Sequence, residues 1–253
     1  LNSLCKSALA QGAGAVVGAM QAAQPPRSNG ADVRPLVGMT SLGKSCLAYM
    51  VRLKPALEAR GYEVAVFHTT GMGGRAFESL AAAGQFCAVM DFSLQELANH
   101  LGGSVVTAGA SRLTGAGAAG TPQIVAPGAV DMVDFPAWQP VPDSLAGRAV
   151  HQHNRLIASA TSAAPLRRKI ASEIGQRLAQ AKGPTCLLLP TQGIEAWDRP
   201  GEPLHDDEGL QAFLGAMRTA AQPGTRCIEL DAHINDPAFG ETALQVFDDW
   251  VAQ

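Results

Sequence analysis

The sequence predicts an α/β fold: a doubly wound, mostly parallel sheet with helices on both faces, a Rossmann-like three-layer sandwich. Three observations predict it. Short apolar runs such as Val64-Ala65-Val66-Phe67 alternate with longer helical segments along most of the chain. Apolar residues make up 47% of the 253 and charged residues only 16%, enough to cover a sheet on both faces. Polar or glycine-rich clusters follow the apolar runs, as strand-to-helix loops require.

Taken in order, Leu4 to Ala23 reads as a helix despite Gly12, Gly14 and Gly18, and Gln24 to Arg34 as a Pro/Gly/Asn-rich linker. Residues 1–31 are therefore expected to be the terminal helix of an absent N-terminal lobe plus a linker, and 32–253 a C-terminal α/β lobe. Pro35 to Met39 predicts a strand, followed by a loop and a helix ending at Arg60 before Gly61. Val64 to Phe67 predicts a buried strand, a glycine turn, and a helix restarting at Arg75. Cys87 to Met90 predicts a third strand ending in Asp91, with a helix over Leu94 to Leu101. A Gly/Ala-rich loop leads to a strand over Gln123 to Ala126. Asp134 to Gly147, with three prolines, reads as an irregular excursion, and Ala149 to Gln152 as a short strand. Ala164 to Ala181 reads as an amphipathic helix with Arg167, Arg168 and Lys169 on its solvated side. Thr185 to Leu189 and Arg226 to Leu230 are strands, Glu208 to Ala221 and Pro237 to Ala252 helices, with Pro237 suited to a first turn.

A net charge of −3 and few aromatics argue against nucleic acid and against an acidic membrane surface. No apolar run is long enough to span a bilayer and no signal peptide is visible. Five scattered cysteines without a CxxC pair read as reduced thiols, mostly in apolar runs, of a cytoplasmic protein.

In a parallel sheet the strand-to-helix loops open on one edge, where ligands bind. Glu63 to Leu80 concentrates the argument. Gly71, Gly73 and Gly74 let the backbone approach a ligand, the following helix offers its positive end, and Arg75 can pair with an anion. A sharp structural turn is the other reading. Gly38 to Ser45 fits G-x-x-x-x-G-K-[ST] between a strand and a helix, so that Lys44 would meet phosphates, Ser45 a Mg²⁺, and Asp91 would be the metal-side acid. The alternative is a plain helix start with Ser45 as cap and Lys44 in solvent. His151 and His153 share one side of a strand, and His205 and His233 lie in loops of the same edge. No compact ligand spacing supports a metal centre, and holding loops by backbone hydrogen bonds is the expected role. No G-x-S-x-G elbow is present.

The stretches VGMTSLG, GYEVAVFHTTGMGGRAFESL, PQIVAPGAVDMVDF, HQHN, PTQGIEAWDRPGEPLHDDE and DAHINDPAF occur in this order. Together they resemble the Tm-one-like ATP-binding domain family, from Leu36 to Gln253. The resemblance implies the second of two α/β lobes, ATP as the bound nucleotide, and a homodimer; the Mg²⁺ belongs to the phosphate-loop reading of Ser45. The resemblance also implies a Gly-rich loop in place of a P-loop, because many relatives lack a lysine at the position of Lys44. Its motifs match at His68, Thr70, Gly71, Gly73, Gly74, Arg75, Gly128, Asp131, His153, Asn154, Asp198, Asp206, His233, Asn235 and Asp236.

The expected site is a cleft at the carboxyl edge, shared with the absent lobe. Thr40, Ser41, Gly43, Lys44, Ser45, His68, Thr70, Gly71, Gly73, Gly74, Arg75, Gly128, Asn154 and Asn235 are the expected ligand-binding residues. His153, His233, Asp131 and Asp236 are the candidate acid/base groups. The expected function is binding of ATP or another small anion. The alternative is a hydrolase or phosphoryl-transfer enzyme acting on a small anion.

Overall fold

A computed structural model describes residues 2–22, 34–221 and 224–251. The chain divides into two units, Leu1–Arg34 and Pro35–Gln253. The first consists, among its described residues, of helix α1 (Ser3–Ala22), which buries none of its side chains. Most of the predicted linker lies outside the described residues.

The second unit is built on six parallel strands in the order β2-β1-β3-β4-β8-β9. They are β1 (Leu36–Ser41), β2 (Glu63–His68), β3 (Ala88–Asp91), β4 (Gln123–Val125), β8 (Thr185–Pro190) and β9 (Arg226–Leu230). Each lies within two residues of its predicted position. The chain moves outward from β1 to β2, then returns to place β3 on the other side of β1, in register Val37↔Ala88, Gly38↔Val89 and Met39↔Met90. That reversal opens a crevice beyond the carboxyl ends of β1 and β3.

Alternation along the strands builds the two outer layers. Val37, Met39, Met90, Ile124, Cys186 and Leu188 pack on one face against α2 (Ala48–Ala59) and α8 (Pro237–Val251). Val125, Leu187 and Leu189 pack on the other against α4 (Gln95–Gly102), α6 (Ala164–Ala179) and α7 (Asp207–Ala220). A smaller cluster joins Val89 and Phe86 to Phe77 of α3 (Met72–Ala82) and Ala116 of α5 (Gly115–Ala119). This is the doubly wound three-layer arrangement that the sequence predicts.

The structure departs from the sequence reading at several elements. Strand β2 is an edge strand with Val66 37% exposed, so its apolar run is only half buried. Helix α2 begins at Ala48, because Leu42 and Cys46 exchange backbone hydrogen bonds and close a turn over Gly43-Lys44-Ser45. The Gly/Ala-rich loop contains α5. The excursion expected over Asp134 to Gly147 starts inside a second, antiparallel sheet in the order β5-β7-β6, from β5 (Met132–Pro136), β6 (Val150–Gln152), which is the short strand expected over Ala149 to Gln152, and β7 (Ile157–Thr161). Proline ends β5 at its last residue, where no further ladder donor is needed. Arg167 is 2% exposed and not on a solvated face: its Nε donates to the Ser162 carbonyl (3.0 Å) and its Nη2 to Asp206 (2.8 Å). The five cysteines are all free, but only Cys46 and Cys186 are buried, while Cys5, Cys87 and Cys227 are exposed.

Candidate functional site

The small antiparallel sheet hangs beside the carboxyl edge of the large one, and a cavity lies between them. One wall is the β1 turn and the β2 tip: Leu42, Gly43, Lys44, Ser45, His68 and Thr70. The opposite wall is Asp134, His153, Asn154 and Ile157 from the small sheet, with Trp197 from the loop after β8 and Gln95 at the start of α4. The space between them is about 150 Å³ and half open to solvent.

Two histidines face this space in defined tautomers. The Gly43 N–H donates to His68 Nδ1 (3.3 Å). A nitrogen that accepts cannot carry the proton, so neutral His68 holds it on Nε2. On the other wall Asp134 receives Gln95 Nε2 (2.8 Å), Asn99 Nδ2 (3.0 Å) and a short hydrogen bond from the Ser159 hydroxyl. The Ser159 proton is thereby committed, and its oxygen accepts from His153 Nε2 (2.8 Å). His153 Nδ1 is left as an acceptor. Burial, with His151 alongside, lowers the His153 pKa to about 4, so the ring stays neutral at physiological pH. Trp197 stacks on His151 (centroids 4.2 Å apart) and meets His153 edge-on (4.9 Å), which fixes this wall. Lys44 is exposed at the cavity, and no carboxylate among the described residues lies within ion-pairing distance of it.

The glycine loop after β2 faces elsewhere. The Gly71 and Gly74 N–H groups both donate to Glu96 Oε1 (2.5 and 3.1 Å), so the protein's own carboxylate occupies the anion position at the start of α3. Gly71 has φ 98°, a conformation that favours glycine. A Cβ at Gly74 would lie 1.7 Å from Glu96 Oε2, so the close approach is the reason for that residue. Arg112 holds Glu96 in turn. Its Nε donates to Glu96 (3.0 Å), its Nη1 to Glu78 (2.9 Å) and Asp91 (2.5 Å), and its Nη2 to Asp91 (2.6 Å) and the Ser93 carbonyl (2.8 Å). All five guanidinium donors are used at a site with no exposure. Burial alone would disfavour the charge, but Asp91, Glu78 and Glu96 outweigh it and hold the Arg112 pKa above its usual value.

Residues 34–251 match the C-terminal domain of the uncharacterised protein family UPF0261. The chain belongs to this family. It is 54% identical over 253 residues to the UPF0261 protein BMEII0128 of Brucella melitensis, covering all of this chain and 60% of that protein. A UPF0261 protein of Clostridium tetani is 34% identical over 240 residues, 94% of this chain and 58% of that protein. The ToMV resistance protein Tm-1(GCR237) of Solanum lycopersicum is 30% identical over 213 residues, 83% of this chain and 28% of that protein. The chain thus spans about 60% of the length of the Brucella relative. A thioesterase domain from the curacin biosynthetic pathway superimposes with a TM-score of 0.37 at 12% identity over 85% of this chain and 92% of that one, too slight to bear on chemistry.

The residues expected at the site of this UPF0261 domain fall into three groups. Gly43, Lys44, Ser45, His68, Thr70, His153 and Asn154 line the cavity together. Asn154 also caps its own turn, its Oδ1 accepting from Leu156 and Ile157 N–H. A second group builds the rim without facing the cavity. Thr40 donates to Asp91 (2.8 Å) and accepts from the Phe92 and Ser93 amides. The Ser41 carbonyl accepts from Thr69. Asn235 bridges the Ser45 carbonyl and the Ala48 amide, and a Cβ at Gly128 would meet the Phe92 carbonyl at 2.1 Å. Gly73 sits against His68, and the exposed Arg75 turns to the Thr107 carbonyl.

The third group lies outside the cavity lining, with His233 and Asp131 buried and Asp236 partly exposed. His233 is fully enclosed, its Nδ1 accepting from the Asn235 amide and its Nε2 donating to the Glu195 carbonyl (2.8 Å) and Asp198 (3.0 Å). Asp236 ties the same loop through the His233 amide and Arg199. Arg199 and the His233 amide outweigh partial burial and lower its pKa. Asp131 lines a space of about 10 Å³ with Arg167, Asp198 and Asp206. Burial raises the Asp131 pKa to about 7 against the pull of Arg167, and burial with Asp131 nearby raises Glu195 to about 10. One oxygen of each, Asp131 Oδ1 and Glu195 Oε1, has no hydrogen-bond partner.

Sequence reasoning missed Arg112, Glu78, Glu96, Asp134, Ser159, Trp197 and Glu195. Arg112 carried a signal: it is the only charged residue between Glu96 and Asp131, in a stretch rich in Gly and Ala. Ser159 carried none, since its role depends on a strand pairing, Asp134↔Ser159, formed within an unpredicted sheet.

Proposed function

We propose that this chain is the ligand-binding lobe of a larger protein, and that its cavity holds a small anion, free or as the terminal phosphate of ATP. The observation that supports the reading is one juxtaposition. The Lys44 ammonium and the His68 Nε2–H border the same cavity, at the crevice where the strand order reverses. Both are donors, and an anion is what they complement.

Size separates the two forms of the proposal. Sites for drug-sized ligands measure about 300–1,000 Å³, whereas this space is about 150 Å³. A phosphate or small carboxylate fits within it, and the rest of a nucleotide would lie outside. The protein groups do not fit the Mg²⁺ of a phosphate loop. Asp91 gives both oxygens to Arg112, and Ser45 stands in a turn ahead of α2 instead of in its first helical turn. In this reading the part of the relatives that the chain does not match supplies the other, N-terminal lobe, and the homodimer is the proposed assembly.

The enzymatic alternative, hydrolysis or phosphoryl transfer, draws on the His153–Ser159–Asp134 line of hydrogen bonds. Calorimetry on the intact protein with inorganic phosphate, acetate, and ATP with and without Mg²⁺ tests both readings. Lys44→Ala is expected to weaken binding of the anions at least about tenfold, the loss of a charge-assisted contact. Unchanged affinity in that variant overturns the anion site. Phosphate release from ATP would favour the enzyme, and binding without release the non-catalytic lobe.

A further inference from the structure

We infer that the ligand is a small organic anion: one anionic group held at Lys44, and a short uncharged carbon chain packed against Leu42, Ile157 and Trp197. The inference rests on the anion reading and adds to it the rest of the ligand.

Positive charge lies on one side of the cavity. Lys44 is the one lysine or arginine among the described residues that line it, and it shares the β1/β2 wall with His68. The small-sheet wall offers no second cation. Asp134 receives hydrogen bonds from Gln95, Asn99 and Ser159, all uncharged. Burial keeps the neighbouring His153 ring neutral at physiological pH. Asn154 and Trp197 bring N–H donors to the same space, but neither carries a charge. The cavity therefore balances one anionic group, and a second would leave water for a wall without a positive charge.

Much of the remaining lining is apolar. Leu42 and Ile157 have only hydrocarbon side chains, and the Trp197 ring is fixed by its stack on His151, with centroids 4.2 Å apart. A free phosphate or acetate answers Lys44 and leaves these groups facing water. Carbon atoms attached to the anion displace that water, and burial of apolar surface then adds to the affinity. Volume sets the length of the chain. An apolar protein cavity of about 150 Å³ holds one benzene ring, and this space is about 150 Å³. A carboxylate with about three further carbon atoms matches the six atoms of that ring.

The test uses two homologous series in calorimetry on the intact protein: acetate, propionate and butyrate, and inorganic, methyl and ethyl phosphate. Affinity is expected to rise about threefold per added carbon in at least one series, slightly less than full burial of a methylene gives. The series that rises identifies the anion as carboxylate or phosphate. Hexanoate and butyl phosphate outrun the cavity and should gain less than about twofold over butyrate and ethyl phosphate. A rise that continues through them overturns the limit on length. Succinate binding as tightly as butyrate overturns the single charge. Ile157→Thr keeps the branched side chain that suits a strand and sets a hydroxyl against the ligand's carbons. With its fold checked by thermal melting, it is expected to reduce the rise to about half as much per carbon. A rise unchanged in this variant overturns the placement of the chain. Flat affinity across both series overturns the organic ligand and leaves the anion site standing, whereas failure of every compound to bind at about 10 mM overturns both.

Discussion

Two acidic clusters are buried at the carboxyl edge of one sheet, and they are neutralised in opposite ways. Around Arg112, the carboxylates Asp91, Glu78 and Glu96 receive all five guanidinium N–H groups they share with the Ser93 carbonyl, and backbone amides of residues 71, 74, 113, 114 and 115 complete them. Around Asp131, Glu195 and Asp198 there is no arginine so placed. Arg167 divides its donors between the Ser162 carbonyl and Asp206, and two carboxyl oxygens remain without partners. The first cluster is held by a fixed positive charge and the second by protons. Burial raises the pKa of Glu96 in the first, while in the second it carries Asp131 to about 7 and Glu195 to about 10. Equal burial therefore does not give equal chemistry. The donors available at the moment of burial decide whether an acid is kept as a charge or as a hydroxyl.

The largest effect is expected where this contrast is broken outright. Arg112→Met removes the guanidinium shared by three carboxylates and should cost about 3–5 kcal/mol of stability, the range for breaking a buried ion pair from one side. Denaturant titration measures it. The loss should shrink at mildly acidic pH, where the stranded carboxylates can take up protons as Asp131 and Glu195 do. A loss under about 1 kcal/mol would show that the backbone amides alone sustain the cluster.

A smaller effect distinguishes the proton-held cluster. The folded pKa of Glu195 lies well above that of a free glutamate, so the folded state binds its proton more tightly than the unfolded chain does. Stability from this group is fully present at low pH and is lost as pH rises toward the folded pKa. Between pH 8 and 9, His153 is neutral in both states and Asp131 is mostly ionised in both. Glu195 and the buried thiols Cys46 and Cys186, whose pKa values burial also raises, then lower stability together as pH rises, with Glu195 contributing about 1.4 kcal/mol per pH unit for its one proton of difference. Denaturation at a series of pH values reads the slope, and Glu195→Gln should reduce it by the Glu195 share. A slope unchanged in the variant would assign the proton to another group.

These clusters also mark how far the sequence could be read. The sheet was legible because its strands are short apolar runs with turn signals on both sides, and alternation is a local property. The cavity was half legible. Lys44, Ser45, His68, Thr70, His153 and Asn154 sit where strands end, and a strand end can be located from its own sequence. Their partners could not be located in the same way. Asp134 and Ser159 meet only through the antiparallel pairing of β5 with β7, and the prolines around Asp134 argued locally for a loop. The glycine loop misled for a related reason. Gly71 and Gly74 do bind an anion, but the anion is Glu96, more than twenty residues away, and a local motif cannot say whether its ligand is internal. Arg167 reads as one of three adjacent cations on a solvated helix face until the N-terminus of α7 is placed beside it, with Asp206 capping that helix.

The smallest effect sharpens the comparison by removing burial. Arg60 and Asp248 make a paired contact, Nε to Oδ1 and Nη2 to Oδ2 at 2.8 Å each, with geometry as good as that between Arg112 and Asp91. The side chains are 37% and 34% exposed, so water solvates both charges when the pair is broken and neither is stranded. Asp248→Asn should therefore change stability by less than about 1 kcal/mol, several times less than Arg112→Met, and the change should fade in high salt. Denaturant titration of the two variants side by side gives the ratio. Comparable losses would mean that contact geometry, and not exclusion of water, governs the strength of the Arg112 cluster.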